Sequence, residues 1–189
     1  GGFDVFEALQ KEMKLPKSAS IVIQGMGNVG GNAANIFHAH GHKILAMSDS
    51  KGGVYSKDGL DPKAVENYKK ENGSLRGFPG GKQISNEKLL EIPCDVLIPA
   101  ALENQITKKN AKDIKTKVVL ELANGPTSTE ADDILFKKGT FVVPDILANS
   151  GGVVVYTFKW EKKKKEEQWS KNNVLTRLRK QNKHESNYV

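Results

Sequence analysis

The sequence predicts an α/β fold, in which a doubly wound, mostly parallel sheet carries helices on both faces. Short apolar strands alternate with amphipathic helices along residues 4–143. Each connecting helix returns the chain to the same edge of the sheet, so neighbouring strands run parallel. One strand also leads directly into a glycine-rich turn and an alanine-rich helix. The pattern changes after residue 152, where a charged helical segment is expected to follow the sheet.

The glycine-rich turn, Gly25-Met26-Gly27-Asn28-Val29-Gly30, has the spacing G-x-G-x-x-G. In such a turn the first glycine permits the tight bend, and the second lets a pyrophosphate approach the backbone. The third lets the helix pack close to the strand, and the free N–H groups at the helix start attract the anion. The sequence therefore predicts a Rossmann-like dinucleotide site that includes Gly25, Gly27, Asn28, Val29 and Gly30.

The other elements follow from apolar periodicity and from turn residues. We expect helices at 4–14, 28–40, 62–71, 87–91, 107–114 and 129–138, with Asn86 as the cap of the fourth. Strands are expected at 20–24, 43–49, 54–55, 94–99, 118–122 and 141–143, and the glycine-rich stretch 73–83 is expected to be a loop.

Ligands in such folds bind beyond the carboxyl ends of the strands. Asp49 ends the second strand and is followed by Ser50. It lies 19 positions after Gly30, close to the roughly 20-residue offset of the acid that binds an adenosine ribose. An acid there favours NAD over NADP, because a 2′-phosphate would meet a like charge, although Lys51 weakens this preference. Alternatively, Asp49 caps the next turn.

The ends of three later strands add small and amide side chains. Ala100 and Ala101 are small enough for a ring or a sugar to lie against the backbone. Asn124 and Asn149 could offer amide groups to a nicotinamide carboxamide or a ribose. Either could equally be a turn residue that tolerates a left-handed backbone, and spacing leaves the two interpretations open.

A dehydrogenase also needs a group that exchanges a proton beside the hydride transfer. Asp145 follows Pro144 and is as readily structural, and the three histidines at 38, 40 and 42 lie at the wrong end of the sheet. No pattern of histidines, cysteines or carboxylates has metal-ligand spacing. The sequence thus predicts a cofactor site with no catalytic residue and no metal in this chain.

The net charge of +7 comes almost entirely from the end of the chain. Residues 159–189 carry ten basic and four acidic side chains, whereas residues 1–158 carry nineteen and eighteen. Because the charge of residues 1–158 is balanced, a broad nucleic-acid surface is not expected.

No apolar run approaches the roughly 20 residues of a membrane span, and the first residues do not resemble a signal peptide. With Cys94 as the single cysteine, a cytoplasmic setting is expected.

Five stretches together resemble the nucleotide-binding domain of the glutamate/leucine/phenylalanine/valine dehydrogenase family, its glutamate-specific members most closely. They are the glycine turn with Ile23 and Gln24, the run 48–53, the run 95–106, the run 123–127 and the run 144–153. The resemblance covers about residues 1–180. It implies an NAD-binding or NADP-binding protein in which Asn124 and Asn149 contact the cofactor, with Asn149 near the nicotinamide and the bound amino acid.

In that family a separate N-terminal domain supplies the catalytic lysine and aspartate and most of the hexamer contacts. The resemblance implies that this chain lacks that domain and is inactive alone. Residues 1–158 would form the dinucleotide-binding domain, and residues 159–189 a basic helical segment packed on it. With the missing domain, the parent protein would be a homo-oligomer, by resemblance a hexamer. It would convert an amino acid to a 2-oxo acid and ammonium.

One departure from the family pattern concerns the substrate. Glutamate-specific members usually continue Gly-Gly-Val-x-Val with Ser-Tyr-Phe-Glu-Trp, where the serine helps to hold the substrate's side-chain carboxylate. Here Tyr156 replaces the serine and Lys159 the glutamate. Tyr156 is therefore the second substrate-proximal residue, and the amino acid used is left open. A non-catalytic nucleotide-binding or regulatory paralogue is the alternative interpretation.

Overall fold

The computed structural model of the chain describes residues 2–145 and residue 148. The predictions for Asn149, Tyr156 and residues 159–189 lie outside the described residues. The helices are α1 Gly2–Glu12, α2 Asn28–Ala39, α3 Pro62–Asn72, α4 Asn86–Leu90 and α5 Thr129–Lys137. The strands are β1 Ser20–Gln24, β2 Lys43–Asp49, β3 Gly52–Tyr55, β4 Lys82–Ile84, β5 Cys94–Pro99, β6 Thr116–Leu120 and β7 Phe141–Val143.

The seven strands form one sheet in the order β4-β3-β2-β1-β5-β6-β7. Strands β2, β1, β5, β6 and β7 run parallel, whereas β3 pairs antiparallel with β2, and β4 pairs antiparallel with β3. The chain proceeds outward from β1 to β4 and then returns to place β5 on the other side of β1. This reversal is a topological switch point, which opens a crevice at the carboxyl ends of β1 and β5.

Both faces of the sheet are covered, as predicted. On one face a row of neighbouring residues from β2, β1, β5 and β6 packs against the buried side chains of α4 and α5; the row is Ala46, Val22, Leu97 and Val119. Leu120 points to the opposite face because side chains alternate along a strand. There α1 begins so close to it that a methyl group on Gly2 would lie 3.9 Å from the Leu120 side chain.

Several elements differ from the sequence prediction in their bounds or caps. Strand β4 begins in the stretch expected to be a loop. The sequence did not reveal this three-residue strand, which pairs with β3, because several glycines precede it. The cap of α4 is Ser85, whose hydroxyl accepts the Lys88 N–H at 3.3 Å, and Asn86 is the first helical residue. Strand β6 also begins and ends two residues earlier than expected.

The prediction of a helix at 107–114 is wrong, because the segment forms successive turns. Side-chain hydrogen bonds add to short-range backbone bonds, such as the one from the Ala111 N–H to the Thr107 carbonyl at 2.9 Å. The Asn110 side chain accepts the Thr107 N–H at 2.8 Å and donates to the Gln105 carbonyl at 2.8 Å. Threonine and asparagine compete with helices in this way. The buried Ala111 and Ile114 still reach the core that α5 covers.

The Lys138 ammonium holds these turns to the end of α5. Its Nζ donates to the carbonyls of Ala111 at 3.2 Å, Ile114 at 2.6 Å and Lys112. We expect Lys138→Met to lower the free energy of unfolding by roughly 1–3 kcal/mol, because a charged donor of several hydrogen bonds is lost. Urea unfolding measures this. Lys137→Met controls for lost charge at the helix end, and equal losses in the two variants would contradict the expectation.

Candidate functional site

The first and third glycines of the turn sit where a side chain does not fit. Gly25 has φ +100°, and a Cβ there would lie 2.9 Å from the Ala100 carbonyl carbon. A Cβ on Gly30 would lie 1.8 Å from the Gly25 carbonyl oxygen. The structural part of the prediction is thus confirmed: Gly25 makes the bend, and Gly30 lets α2 pack against the loop that leaves β1.

The second glycine faces open space. Gly27 has φ −85° and ψ −166°, which any residue can adopt, and a Cβ there would meet no atom within 4 Å. It is the N-cap of α2 and offers no side chain to the first turn, where the Gly31 N–H bonds to the Gly27 carbonyl at 2.9 Å. The N–H groups of Asn28, Val29 and Gly30 precede that bond and lack intrahelical acceptors. This end of the helix attracts an anion.

A lysine from α3 and a serine from β2 hold the glycine turn. Lys69 Nζ donates to the Met26 carbonyl at 2.6 Å, and the Gly25 N–H donates to Ser48 Oγ at 3.3 Å. Lys69 thereby places a positive charge beside the start of α2. Sequence reasoning missed Lys69, because a lysine on an amphipathic helix resembles an ordinary solvent-facing residue.

Asp49 lies at the carboxyl end of β2, half-buried, with the exposed Ser50 beside it. Its Oδ1 accepts the Lys51 N–H and its Oδ2 accepts the Leu75 N–H, both at 2.8 Å. Asp49 therefore caps the turn that follows β2, as the alternative interpretation predicts. A carboxylate has about four lone-pair directions, so these two bonds leave acceptor capacity, and the ribose contact stays a prediction.

The loop after β5 forms another wall of the crevice. The Ala100 N–H donates to the Gln24 carbonyl at 2.8 Å, which places Ala100 beside the glycine turn, and Ala101 is exposed. Gln24 is buried and its Nε2 donates to Gln105 Oε1 at 2.8 Å. Gln24 Oε1 has no hydrogen-bond partner among the described residues. Sequence reasoning did not single out this amide pair, although Gln24 directly precedes the turn.

Asn124 lies exposed in the loop after β6, which is tied to its neighbours through the backbone. The Asn104 N–H donates to the Gly125 carbonyl at 3.0 Å, and the Gly125 N–H donates to Asp145 Oδ2 at 3.3 Å. The left-handed residue of this loop is Gly125, with φ +51°, and not Asn124. The structure thus brings together the loops after β1, β5 and β6 and the side chain of Asp145, two residues after β7.

Glu121 is a buried acid directly after β6, with 5% of its surface exposed. Burial raises the pKa of its carboxyl to about 7, and the charges of Asp145 and Asp132 act in the same direction. The Thr127 hydroxyl and the Asp145 N–H, which donates to Glu121 Oε2 at 3.3 Å, lower that pKa. Sequence reasoning passed over Glu121, although an acid at the end of the apolar run 118–122 signals a buried carboxyl.

Other kinds of site receive no support from the described residues. Burial raises the pKa of the Cys94 thiol to about 12, so it carries no thiolate at neutral pH, and the rejection of Cys94 as a nucleophile agrees with this. Among residues 2–145 and 148, no three histidine, cysteine or acidic side chains are grouped as metal ligands. No described helix combines the length and apolarity needed to cross a membrane.

Two known relatives of this chain are glutamate dehydrogenases. A glutamate dehydrogenase from Thermotoga maritima is 51% identical over 77% of this chain and 35% of its own length. An NADP-specific glutamate dehydrogenase from Synechocystis is 41% identical over 100% of this chain and 46% of its own. The chain therefore spans less than half the length of these relatives.

A solved structure gives the same relationship. The hetero-hexameric glutamate dehydrogenase from Thermus thermophilus, in a leucine-bound form, superimposes with a TM-score of 0.74 at 31% identity, over 93% of this chain and 42% of that one. The sequence profile of the glutamate/leucine/phenylalanine/valine dehydrogenases matches residues 1–189. With its Rossmann-like sheet and glycine turn, the chain belongs to the glutamate/leucine/phenylalanine/valine dehydrogenase family.

Proposed function

We propose that this chain is the NAD(P)-binding domain of an amino-acid dehydrogenase, with glutamate as the first substrate to test. The observation that carries the proposal is the open space at Gly27. It lies in front of the uncapped start of α2, at the switch point between β1 and β5, with the Lys69 ammonium beside the turn. Free N–H groups, a helix dipole and a lysine charge together favour a pyrophosphate.

In this proposal, different loops contact different parts of the cofactor. The turn Gly25–Gly30 would hold the pyrophosphate, and Asp49 with Ser50 would face the adenosine ribose. Ala100, Ala101 and Asn124 would line the nicotinamide half, and Asn149 would complete it from outside the described residues. When bound, the cofactor would supply hydride acceptance: the amino acid would be oxidised to an imine, whose hydrolysis would give the 2-oxo acid and ammonium.

We propose that the acid and base of this reaction lie on another part of the parent protein. In the described crevice the ionisable side chains hold the loops: Asp49 bonds to two backbone N–H groups, and Lys69 to a backbone carbonyl. We expect the 189-residue chain to bind the dinucleotide without turnover. Absorbance at 340 nm with NAD and glutamate checks this, and glutamate-dependent NADH formation would contradict it.

The division of the chain and the assembly of the parent are parts of the same proposal. Residues 1–158 would be the dinucleotide-binding domain, and residues 159–189 would be a separate basic segment. The parent would be an oligomer, and the hetero-hexameric Thermus thermophilus relative supports assembly of this kind.

The Gly27→Ala variant tests cofactor binding without disturbing the fold. The backbone angles of Gly27 suit alanine, and its methyl group would meet no protein atom within 4 Å. It would occupy the space proposed for the phosphates. We expect the melting temperature to stay within about 2 °C, since surface substitutions seldom exceed 0.5 kcal/mol. The affinity for NAD in calorimetry should fall by at least about tenfold, the equivalent of 1.4 kcal/mol.

Gly31→Ala is the matched control for Gly27→Ala. It adds the same methyl group four residues later on α2, where the nearest atom is Met26 Cε at 3.9 Å. NAD affinity should be unchanged in that variant. An unchanged affinity in Gly27→Ala would show that the dinucleotide, if bound, does not lie on this turn, and absence of NAD and NADP binding to the wild-type chain would refute the proposed function.

The choice between NAD and NADP rests on Asp49. We expect Asp49→Ala to weaken NAD binding more than NADP binding, because it removes a ribose acceptor and the charge that opposes a 2′-phosphate. It also frees the N–H groups of Lys51 and Leu75, so both affinities should fall somewhat. The ratio of the two dissociation constants from calorimetry is therefore the measurement, and an unchanged ratio would leave Asp49 as a turn cap only.

A further inference from the structure

Glu121 is the only acid of the run 118–122 and lies where β6 ends, one strand away from the switch point. Its side chain is almost fully buried. The proposed cofactor contacts do not include it. Burial disfavours the charged form of a carboxyl, so a buried glutamate lowers the stability of the fold unless its interactions compensate. Its hydrogen bonds show what it is connected to.

Two hydrogen bonds connect Glu121 to the loop that carries Asn124. Glu121 Oε2 accepts the Asp145 N–H at 3.3 Å, and the Asp145 carboxylate in turn accepts the Gly125 N–H at 3.3 Å. Gly125 directly follows Asn124. Asp145 thus helps to position the Asn124 loop, together with the Asn104 N–H, and the Glu121 carboxyl helps to position Asp145.

The charged groups that act on Glu121 from the neighbouring elements include two further acids. Asp145 follows β7, and Asp132 lies on α5; the charge of each disfavours ionisation of Glu121. The loop 123–127 and the adjacent end of β5, residues 98–100, contain no ionisable side chain. Ionised Glu121 therefore repels the Asp145 carboxylate that holds the Gly125 N–H.

Thr127 favours the ionised form, as the Asp145 N–H also does. Its buried Oγ1 has no partner of normal hydrogen-bond geometry among the described residues, but its hydroxyl is close enough to lower the pKa of Glu121. A small rotation would let the hydroxyl donate to an ionised carboxylate. Two donors thus favour the ionised carboxylate, whereas burial and the charges of Asp145 and Asp132 favour the neutral carboxyl.

We propose that Glu121 is a positioning residue whose neutral form holds Asp145 and the Asn124 loop in the arrangement that binds the dinucleotide. The inference rests on the proposed cofactor-binding function and deepens it. Binding selects the neutral form, so the complex holds the proton on Glu121 more tightly than the free protein does. Dinucleotide affinity consequently falls as Glu121 ionises.

The test measures the affinity of the 189-residue chain for NADH by calorimetry between pH 6 and pH 8.5. NADH suits the purpose because its reduced ring is uncharged and its pyrophosphate does not titrate in this range. The wild-type affinity is expected to fall by roughly three- to tenfold over the range, where tenfold corresponds to one pKa unit between free and bound protein. Glu121→Gln keeps an uncharged side chain of the same shape, so its affinity should not change with pH.

A carboxyl ¹³C titration separates this role from a merely structural one. The Glu121 resonance should titrate at higher pH in the NADH complex than in the free chain. Thr127→Val is the second variant, because loss of the hydroxyl removes support for the ionised carboxylate and should move the midpoint of the affinity profile upward. Glu130→Gln, at an exposed position of α5, is the matched control and should follow the wild-type profile.

The outcomes distinguish this inference from the function on which it rests. NADH binding that is independent of pH, or that keeps the wild-type pH profile in Glu121→Gln, overturns the role of Glu121 and leaves the cofactor site intact. An unshifted Glu121 titration in the complex also overturns it. Absence of NADH binding at every pH overturns both proposals.

Discussion

Gly30→Ala is expected to lower the melting temperature by roughly 10 °C and to abolish dinucleotide binding. The added Cβ would lie 1.8 Å from the Gly25 carbonyl oxygen and 3.4 Å from Ala100 Cβ. Backbone atoms cannot rotate away as a flexible side chain can, so α2 must move off β1. Overpacking of this kind costs about 3 kcal/mol or more, and each kcal/mol lowers the melting temperature of a domain this size by roughly 2–4 °C.

Gly31→Ala is the adjacent control for this prediction. Its methyl group meets only Met26 Cε, at 3.9 Å, and alanine is favoured over glycine inside a helix by up to about 1 kcal/mol. Circular dichroism melting should therefore move in opposite directions in the two variants. Equal melting temperatures for Gly30→Ala and the wild type would mean that the close approach of α2 to the turn does not exist in solution.

The structural role of Gly30 could largely be predicted from the sequence. The order of β-branched strand, G-x-G-x-x-G and alanine-rich helix is a local pattern, and its geometry follows from steric limits within a few residues. The bounds of β1, β2, β5 and β7 were predicted correctly for a similar reason. Each is an apolar run ended by a turn residue, and buried parallel strands require such runs.

The interactions that the sequence did not reveal join residues far apart in the chain. Lys69 bonds to Met26, Asp49 to Leu75, and Glu121 to Asp145. No periodicity encodes such pairs, because they depend on how the loops meet at the edge of the sheet. The wrong prediction of a helix at 107–114 has a local cause: the Thr107 and Asn110 side chains bond to backbone groups of Gln105, Thr107 and Lys109, and such local bonds compete with a helix.

Glu121→Gln is expected to make the chain more stable at alkaline pH, even though it alters a buried polar residue. The carboxyl ionises near pH 4.5 when unfolded and near pH 7 when folded, because burial holds the proton. Between these values the folded chain binds the extra proton, so the free energy of unfolding falls as pH rises and levels off above pH 7. The full loss is about 3 kcal/mol at 1.36 kcal/mol per pKa unit.

Glutamine avoids this loss because it does not ionise. Its amide oxygen can accept the Asp145 N–H, and its NH₂ group can donate to the Thr127 hydroxyl, which has no partner among the described residues. Urea unfolding at pH 5, 6, 7 and 8 provides the measurement. The stability of the variant relative to the wild type should increase by about 2–3 kcal/mol across the series.

The exposed carboxyl of Glu130 distinguishes this effect from a general charge effect. Glu130→Gln removes the same charge from the first turn of α5, where a carboxylate interacts favourably with the helix dipole by no more than about 1 kcal/mol. It should therefore destabilise slightly and show no comparable gain with pH. If the stability difference between Glu121→Gln and the wild type were constant from pH 5 to pH 8, Glu121 would not titrate near neutrality. Its proposed influence on the Asn124 loop would then lose its physical basis.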